Sequence, residues 1–500
     1  MKKIMLLMAG LSFAVTPSLP GQAAPAEPTA ASTAFTSADP VVRQARQLMD
    51  TGQFKSAEDL LAAPERAADA AARQARVEMA EILRRVRREY SLDAAGLLAK
   101  IRKSVPDATA EEMERWAEQS RARFRIIDGQ KFYFRREPQN IFLFCDEAKK
   151  RRAQAGNAPG PKWPLVPHLA AVVAEAERTG AAEVLPIKHR FTHTLTIHAP
   201  HPALKPGAQV RVWLPYPQEY RQQRDVKLIS ASPEPRLIAP NAVEGHPVGG
   251  GAQRTIYFEQ TVRDPAQPLA FTVVVEYTSF AYHPHLDPQQ VAPLPADWQG
   301  AYLGERPPHI VFPPALREQV ATLIGRETNA LIKAQIIFRW VSEHIPWNAE
   351  DEYGIIPSFT LKGFTARRGD CGVISSVFIS MCRIAGIPAR WQSGFATRPG
   401  ENPGMHDWVE FYLPPWGWLP ADTSYGVQAS ADPRIADFYC GHQDSYRLIV
   451  NRDWGRELFP PKHALRSEPA DFQRGEVEVD GQNLYFDAWT TRTEVVREPL

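Results

Sequence analysis

"TARRGDCGVISSVFISMCRIAGIPARW", residues 365–391, holds two of the four cysteines in a chain of 500 residues. Cys371, Ile374, Phe378, Cys382 and Ala385 recur at steps of three and four, which predicts a helix that begins at or just before Cys371 and buries that stripe. Gly386 closes the helix and Pro388 forbids its continuation. Cys371 therefore falls in the first helical turn, where free backbone N–H groups and the helix dipole favour a thiolate. Read alone, it fits a nucleophile, a metal ligand, half of a disulfide or a small core residue. The nucleophile reading needs a base elsewhere in the chain. Cys382, in the middle of the stripe, reads as a core thiol.

A base is present. "MHDWVEFYL" (405–413) puts His406 at the start of an alternating strand, and "WGWLPADTSYG" (416–426) returns to Asp422 after a turn at Pro414 to Gly417. In an antiparallel pair, matching Leu413 with Gly417 sets Asp422 opposite Trp408, the diagonal neighbour of His406 on one face, roughly 7 Å away by backbone. A slip of one residue would move Asp422 to the other face. The expectation is that His406, Trp408, Glu410 and Tyr412 share the face that looks toward the Cys371 helix, with Val409, Phe411 and Leu413 on the other. A thiolate, an imidazole and an orienting carboxylate then converge, which is the chemistry of an activated nucleophile.

These residues, "RRGDCGVISSVFISMCRIAGIPARWQSGF" followed by "HDWVEFYLPPWGWLPADTS", resemble the core of the transglutaminase-like superfamily. The shared features are a cysteine opening a helix, a G-I-P-A-R exit into a strand, a histidine followed by W-V-E, and a W-x-P-x-D-x-S end to the next strand. The resemblance covers about 100 residues, most firmly Trp347 to Gly426. It implies a papain-like α+β core with Cys371 as nucleophile, His406 as base and Asp422 as the residue that orients it. The calcium-binding acidic loops of animal members are not evident, so no metal or other cofactor is expected.

Composition bounds the rest. Net charge is +1, with 44% hydrophobic and 23% charged residues, which gives no electrostatic case for nucleic acid as a partner. Lys2 and Lys3, an apolar run from Ile4 to Val15, Pro17, Pro20 and small residues to Ala23 read as an export signal cleaved after Ala23. The mature protein is expected to be periplasmic or secreted, with no membrane anchor. Disulfides persist in such a compartment. There is no CxxC and no Cys/His cluster with zinc spacing. Cys371 and Cys382 lie three helical turns apart, which leaves Cys145 with Cys440 as the one pair to consider, and free buried thiols fit equally well.

The fold class expected is α+β and multidomain. After the signal (1–23) and an Ala/Pro/Ser/Thr-rich leader (24–39) comes a helical domain (40–150), opened by a helical hairpin broken at Gly52. Arg84, Arg85, Arg87 and Arg88 read there as a solvated helix face. Thr109 and Glu112 form a capping box, and Asp128-Gly129 turns a β-hairpin. Residues 151–186 read as a linker. Period-two strands such as "FTHTLTIHA" and "AFTVVVEYTSFAY" then suggest a β-sandwich-like domain (187–285), with Gly249 to Gly251 in a loop. The core spans 300–440 and is followed by a strand-rich extension (441–500). Trp347 reads as a packing residue. The function expected is that of an exported thiol enzyme acting on amide bonds through a thioester, most simply hydrolysis of a peptide, protein or glycopeptide. Amine transfer and a catalytically inactive scaffold that binds a protein or surface glycan are the alternatives.

Overall fold

A four-stranded antiparallel sheet and one buried helix carry the residues of interest. In the computed structural model, which describes residues 33–63, 69–160, 163–242, 251–298 and 300–500, the cysteine helix runs Cys371–Ile384. The expected export segment, most of the leader, Gly249 and Gly250 lie outside the described residues. The sheet order is Gly417–Ala421, Gly404–Leu413, Ala389–Ala396 and Arg447–Asn451. Helices Pro314–Ile324, Ala330–His344 and Phe359–Ala366 pack on the cysteine helix from its other sides. Every residue from Gly372 to Arg383 is consequently buried, a wider burial than the single expected stripe.

Two further antiparallel sheets contribute to one hydrophobic cluster. One contains Glu183–Ile197, Leu269–Tyr282, Gln223–Ser232 and Trp489–Pro499; the other contains Gln209–Pro215, Thr255–Thr261, Leu237–Ile238, Glu476–Val479 and Gln482–Leu484. Alternation explains the inward set: Phe191, Leu195, Phe271, Val273 and Val275 from the first sheet meet Val210, Val212, Phe258 and Val477 from the second. The threonines at 192, 194 and 196 take the opposite, half-buried face of their strand.

Two expectations change here, and the open question of Cys145 and Cys440 is answered. Residues 151–186 are not simply a linker, because they contain the helix Leu165–Thr179, whose Leu169, Val172, Val173 and Ala176 recur at helical spacing and pack into the core. The segment 441–500 is not a separate extension. Its strands supply the fourth strand of the core sheet and join both of the other sheets, since each leaves an edge that residues 476–499 pair. Cys145 and Cys440 are both free and sit in different hydrophobic clusters; the Cys145 thiol donates to Gln119 Oε1 at 3.1 Å.

The N-terminal region is built from helices including Pro40–Asp50, Phe54–Ala62, Ala70–Glu89 and Ala110–Gln119, with a small three-stranded sheet. The Thr109/Glu112 capping box forms, and Asp128 and Gly129 take the two positive-φ positions of the hairpin turn. Arg85 departs from the solvated-face expectation: it is buried, bonded to Glu81 and to the Arg466 carbonyl. This region grips the core just upstream of the cysteine. Arg123 Nη2 and Asn140 Nδ2 donate to the Ala349 carbonyl at 2.8 and 3.1 Å, Arg135 pairs with Glu352 at 2.9 Å, and Arg368 Nη1 donates to the Ser120 carbonyl at 3.0 Å.

Candidate active site

Cys371 is the first residue of its helix, and Asp370 caps that helix by accepting from the Val373 N–H at 3.2 Å. Gly386 ends it with φ +82°, and Ile387 N–H donates back to the Cys382 carbonyl at 2.9 Å. The second helical residue has to be glycine: a Cβ on Gly372 would lie 2.2 Å from Tyr353 Oη and 2.5 Å from Trp391. That close approach lets the Gly372 N–H donate to Tyr353 Oη at 3.1 Å. The Cys371 N–H finds no acceptor among the described residues.

The two strands pair in the expected register, Leu413 with Gly417 through Val409 with Ala421, so that Asp422 follows opposite Trp408. His406 Nε2 and Asp422 Oδ2 are 2.6 Å apart. Since a carboxylate can only accept, Nε2 carries the proton and Nδ1 is the nitrogen left for another partner. Asp422 is itself fixed. Its Oδ1 accepts from Ser424 Oγ at 2.8 Å and the Tyr425 N–H at 3.1 Å, and its Oδ2 pairs with Arg447 at 2.9 Å. The Tyr425 ring stacks on the imidazole, centroids 4.6 Å apart. Burial would raise the Asp422 carboxyl, but the His406 and Arg447 charges outweigh it and hold it well below the ordinary carboxylate range. Burial also lowers His406, against the pull of Asp422, which favours the neutral imidazole a base requires.

The phase of the histidine strand is as expected, but its direction is reversed. Val409, Phe411 and Leu413 face the cysteine helix, with Phe411 and Phe378 rings 6.2 Å apart in an edge-on contact. The opposite face is buried too, under polar cover: Trp408 Nε1 donates to Gln392 at 2.6 Å, and Glu410 binds Arg390 at 2.8 Å and Tyr220 Oη at 2.6 Å. With both faces buried, the apolar residues take the helix side.

The reversal brings Asp407, not His406, onto the thiol. Cys371 Sγ donates to Asp407 Oδ2 at 3.3 Å, and among the described residues no hydrogen bond links Cys371 to His406. Tyr353 Oη donates to the same Oδ2 at 2.8 Å, and Gln473 Nε2 donates to Oδ1 at 3.1 Å. That amide also donates to the carbonyls of His406 and its cross-strand partner Gly394, each at 2.9 Å. The helix start alone would favour a thiolate. Burial, with the Asp407 and Asp370 charges, instead pushes the thiol well above its ordinary value. Burial likewise pushes Asp370 up to about 8 and Asp407 up to about 7.

Sequence reasoning missed Asp407, Tyr353, Gln473 and Arg447. Asp407 lay in plain view inside the quoted "HDW", and Tyr353 follows the acidic run Glu350-Asp351-Glu352; the other two arrive from segments with no local motif. Trp347, read as a packing residue, is 39% exposed and bridges Gly369, two residues before the cysteine. Cys382 is fully buried in the core cluster, as expected. Among the described residues, no group of three or more His, Cys, Asp or Glu side chains is disposed to hold a metal ion.

Comparison with known proteins bears on the same stretch. An uncharacterized protein of Haemophilus influenzae is 30% identical over 216 residues, 36% of this chain and 57% of that protein. The uncharacterized protein YebA of Bacillus subtilis is 28% identical over 156 residues, 26% of this chain and 20% of that one. The chain thus spans little more than half the length of the first relative and a fifth of the second. Among solved structures, a candidate cysteine protease from Cytophaga hutchinsonii aligns over 64% of this chain and 92% of its own, at 14% identity and a TM-score of 0.41. The periplasmic domain of TgpA from Pseudomonas aeruginosa aligns over 50% and 90%, at 17% identity and a TM-score of 0.25. Residues 317–423, which hold Cys371, His406 and Asp422, match the model of the transglutaminase-like superfamily, and this part of the chain is a domain of that superfamily.

Proposed function

We propose that the protein is an exported thiol enzyme that cleaves amide bonds of a peptide or protein through Cys371, His406 and Asp422. The observation that supports this most is the His406–Asp422 bond of 2.6 Å, formed in a strand register that also fixes which imidazole nitrogen stays available. In the cycle, the Cys371 thiol gives its proton to His406 Nδ1 and the thiolate attacks the amide carbonyl. The imidazolium then protonates the leaving amine as the C–N bond breaks, leaving a thioester. Water, losing a proton to His406, releases the acid; an amine in its place would give transfer. Hydrolysis is preferred because water is the default acceptor unless a site excludes it. The Cys371 N–H, which has no acceptor among the described residues, is suited to receive the developing oxyanion. Asp422 positions the ring and stabilises its charge.

The two sheets that share one core are read as a β-sandwich beside the catalytic domain, and the N-terminal helices as a separate domain. Periplasmic or secreted location rests on the sequence of residues 1–23; no described helix is long and apolar enough to cross a membrane. A binding scaffold without turnover is the competing reading, favoured by one observation: the thiol is bonded to a carboxylate. Peptides released from a mixed protein extract by the wild type and by Cys371→Ala decide between them. New termini that appear only with the wild type identify both hydrolysis and its substrate class, whereas identical peptide sets would overturn the enzyme reading.

A further inference from the structure

The carboxylate that touches the thiol belongs to neither partner in the His406–Asp422 pair. Asp407 comes from the opposite face of the same strand, and it is built in rather than adventitious. Both of its oxygens are engaged, Oδ2 by Cys371 Sγ and Tyr353 Oη, and Oδ1 by Gln473 Nε2, and the residue is buried. Tyr353 ties this carboxylate to the nucleophile a second time, because its Oη also accepts from the Gly372 N–H. The charged surroundings are mostly acidic. Asp370 precedes the thiol on its own helix, Asp422 lies beyond the strand, and Glu468 and Asp471 approach from the segment before Gln473. Arg474, the cation beside Asp471, is spoken for by Glu352 at 2.6 Å and Glu468 at 2.6 Å.

We propose that Asp407 is a positioning residue for the nucleophile: it holds the Cys371 thiol protonated and oriented at rest, and the thiol must leave it before handing its proton to His406. This rests on the reading of Cys371 as nucleophile. In the resting arrangement the S–H hydrogen points at Oδ2. Activation requires the thiol to leave Oδ2 and turn toward His406 Nδ1, after which the proton moves from sulfur to nitrogen. A negative charge held against sulfur opposes ionisation until then. Asp407 is ionised over the alkaline range in which the raised thiol titrates, so its charge acts in full there.

The test reads the thiol directly. The full-length protein is alkylated with iodoacetamide across pH 6 to 11, and the Cys371 peptide is quantified by mass spectrometry for wild type, Asp407→Asn and Asp407→Ser. Both variants remove the charge, and the serine covers the case in which the amide disturbs packing. The expected result is a midpoint at least about one pH unit lower in each folded variant. An unchanged midpoint with only a changed plateau rate would mean a purely structural role and would overturn the proposal. A higher midpoint would overturn it too, by making Asp407 the proton acceptor. The readout needs no substrate. If the peptide-release experiment shows no turnover while the midpoint falls, the enzyme reading fails and the thiol–carboxylate coupling stands.

Discussion

Two aspartates, Asp407 in the histidine strand and Asp422 one residue past the end of the strand paired with it, behave oppositely. Asp422 is as buried as Asp407, yet it faces an imidazole and the Arg447 guanidinium, and its carboxyl stays ionised. Asp407 faces a thiol, a phenol and an amide among further carboxylates, and its carboxyl is pushed up to about 7. Burial is common to both, so the difference lies in whether a cation reaches the oxygen. The two corners differ accordingly: Asp422 keeps its charge far into acid, whereas Asp407 takes up a proton near neutrality and is ionised only above it.

The largest effects should come from removing either reacting group. Cys371→Ala and His406→Ala are each expected to lower turnover about 10⁴-fold or more with little change in the folding transition, and the double variant should be no worse than either single. Retention of near-wild-type rates by His406→Ala would break the assignment of the charged corner. Asp422→Asn should cost about a hundredfold less than His406→Ala, since it only orients the ring. One residue inserted between Pro414 and Trp416 should cost the same, because it slips the register that brings Asp422 to His406.

Next in size is Arg447→Met. It strands Asp422 and Asp444, with which Arg447 pairs at 2.9 and 3.2 Å, and is expected to cost roughly 3–5 kcal/mol in denaturant unfolding. A cost below 1 kcal/mol would mean the guanidinium does not hold the charged corner. The contrast also has opposite signs in pH. Asp422, lowered in the folded state, contributes stability that is present above 3.8 and lost as pH falls through its folded value. Asp407, raised, makes the folded state the better proton binder between 3.8 and about 7, so stability falls as pH rises across that window. Unfolding measured against pH should show Asp407→Asn flattening the second slope and Asp422→Asn the first; matching profiles would erase the contrast. The smallest effect belongs to Cys382→Ala, remote from both corners, which should lose about 1 kcal/mol of stability and no turnover.

The helix start, its Gly386 exit and the hairpin register were legible because each depends on local rules: cap chemistry, a three-residue turn and a two-residue period. Which face of the histidine strand meets the helix was not. Alternation gives two faces and assigns the apolar one inward only when the other is wet, and here Glu410 and Trp408 are buried under Arg390 and Gln392. The linker reading of 151–186 failed because Pro164 and Pro167 mask a helix whose apolar spacing begins at Leu165. Arg447 and Gln473 reach the site through tertiary pairing, which no short window of sequence contains.

The pairing of residues 476–499 with strands laid down near the middle of the chain bears on the order in which the molecule can be made. Trp489 pairs with Ile197 and Val477 with Val212, contacts separated by well over two hundred residues. During synthesis from the N-terminus, the strands at 183–197 and 209–215 each wait with an open edge until those residues follow, and such edges invite pairing with other chains. Contacts this distant in sequence also slow folding. Gln473, which ties Asp407 to the backbone of His406, comes just before the late strands. The thiol is therefore assembled last, after nearly all of the chain has already been built.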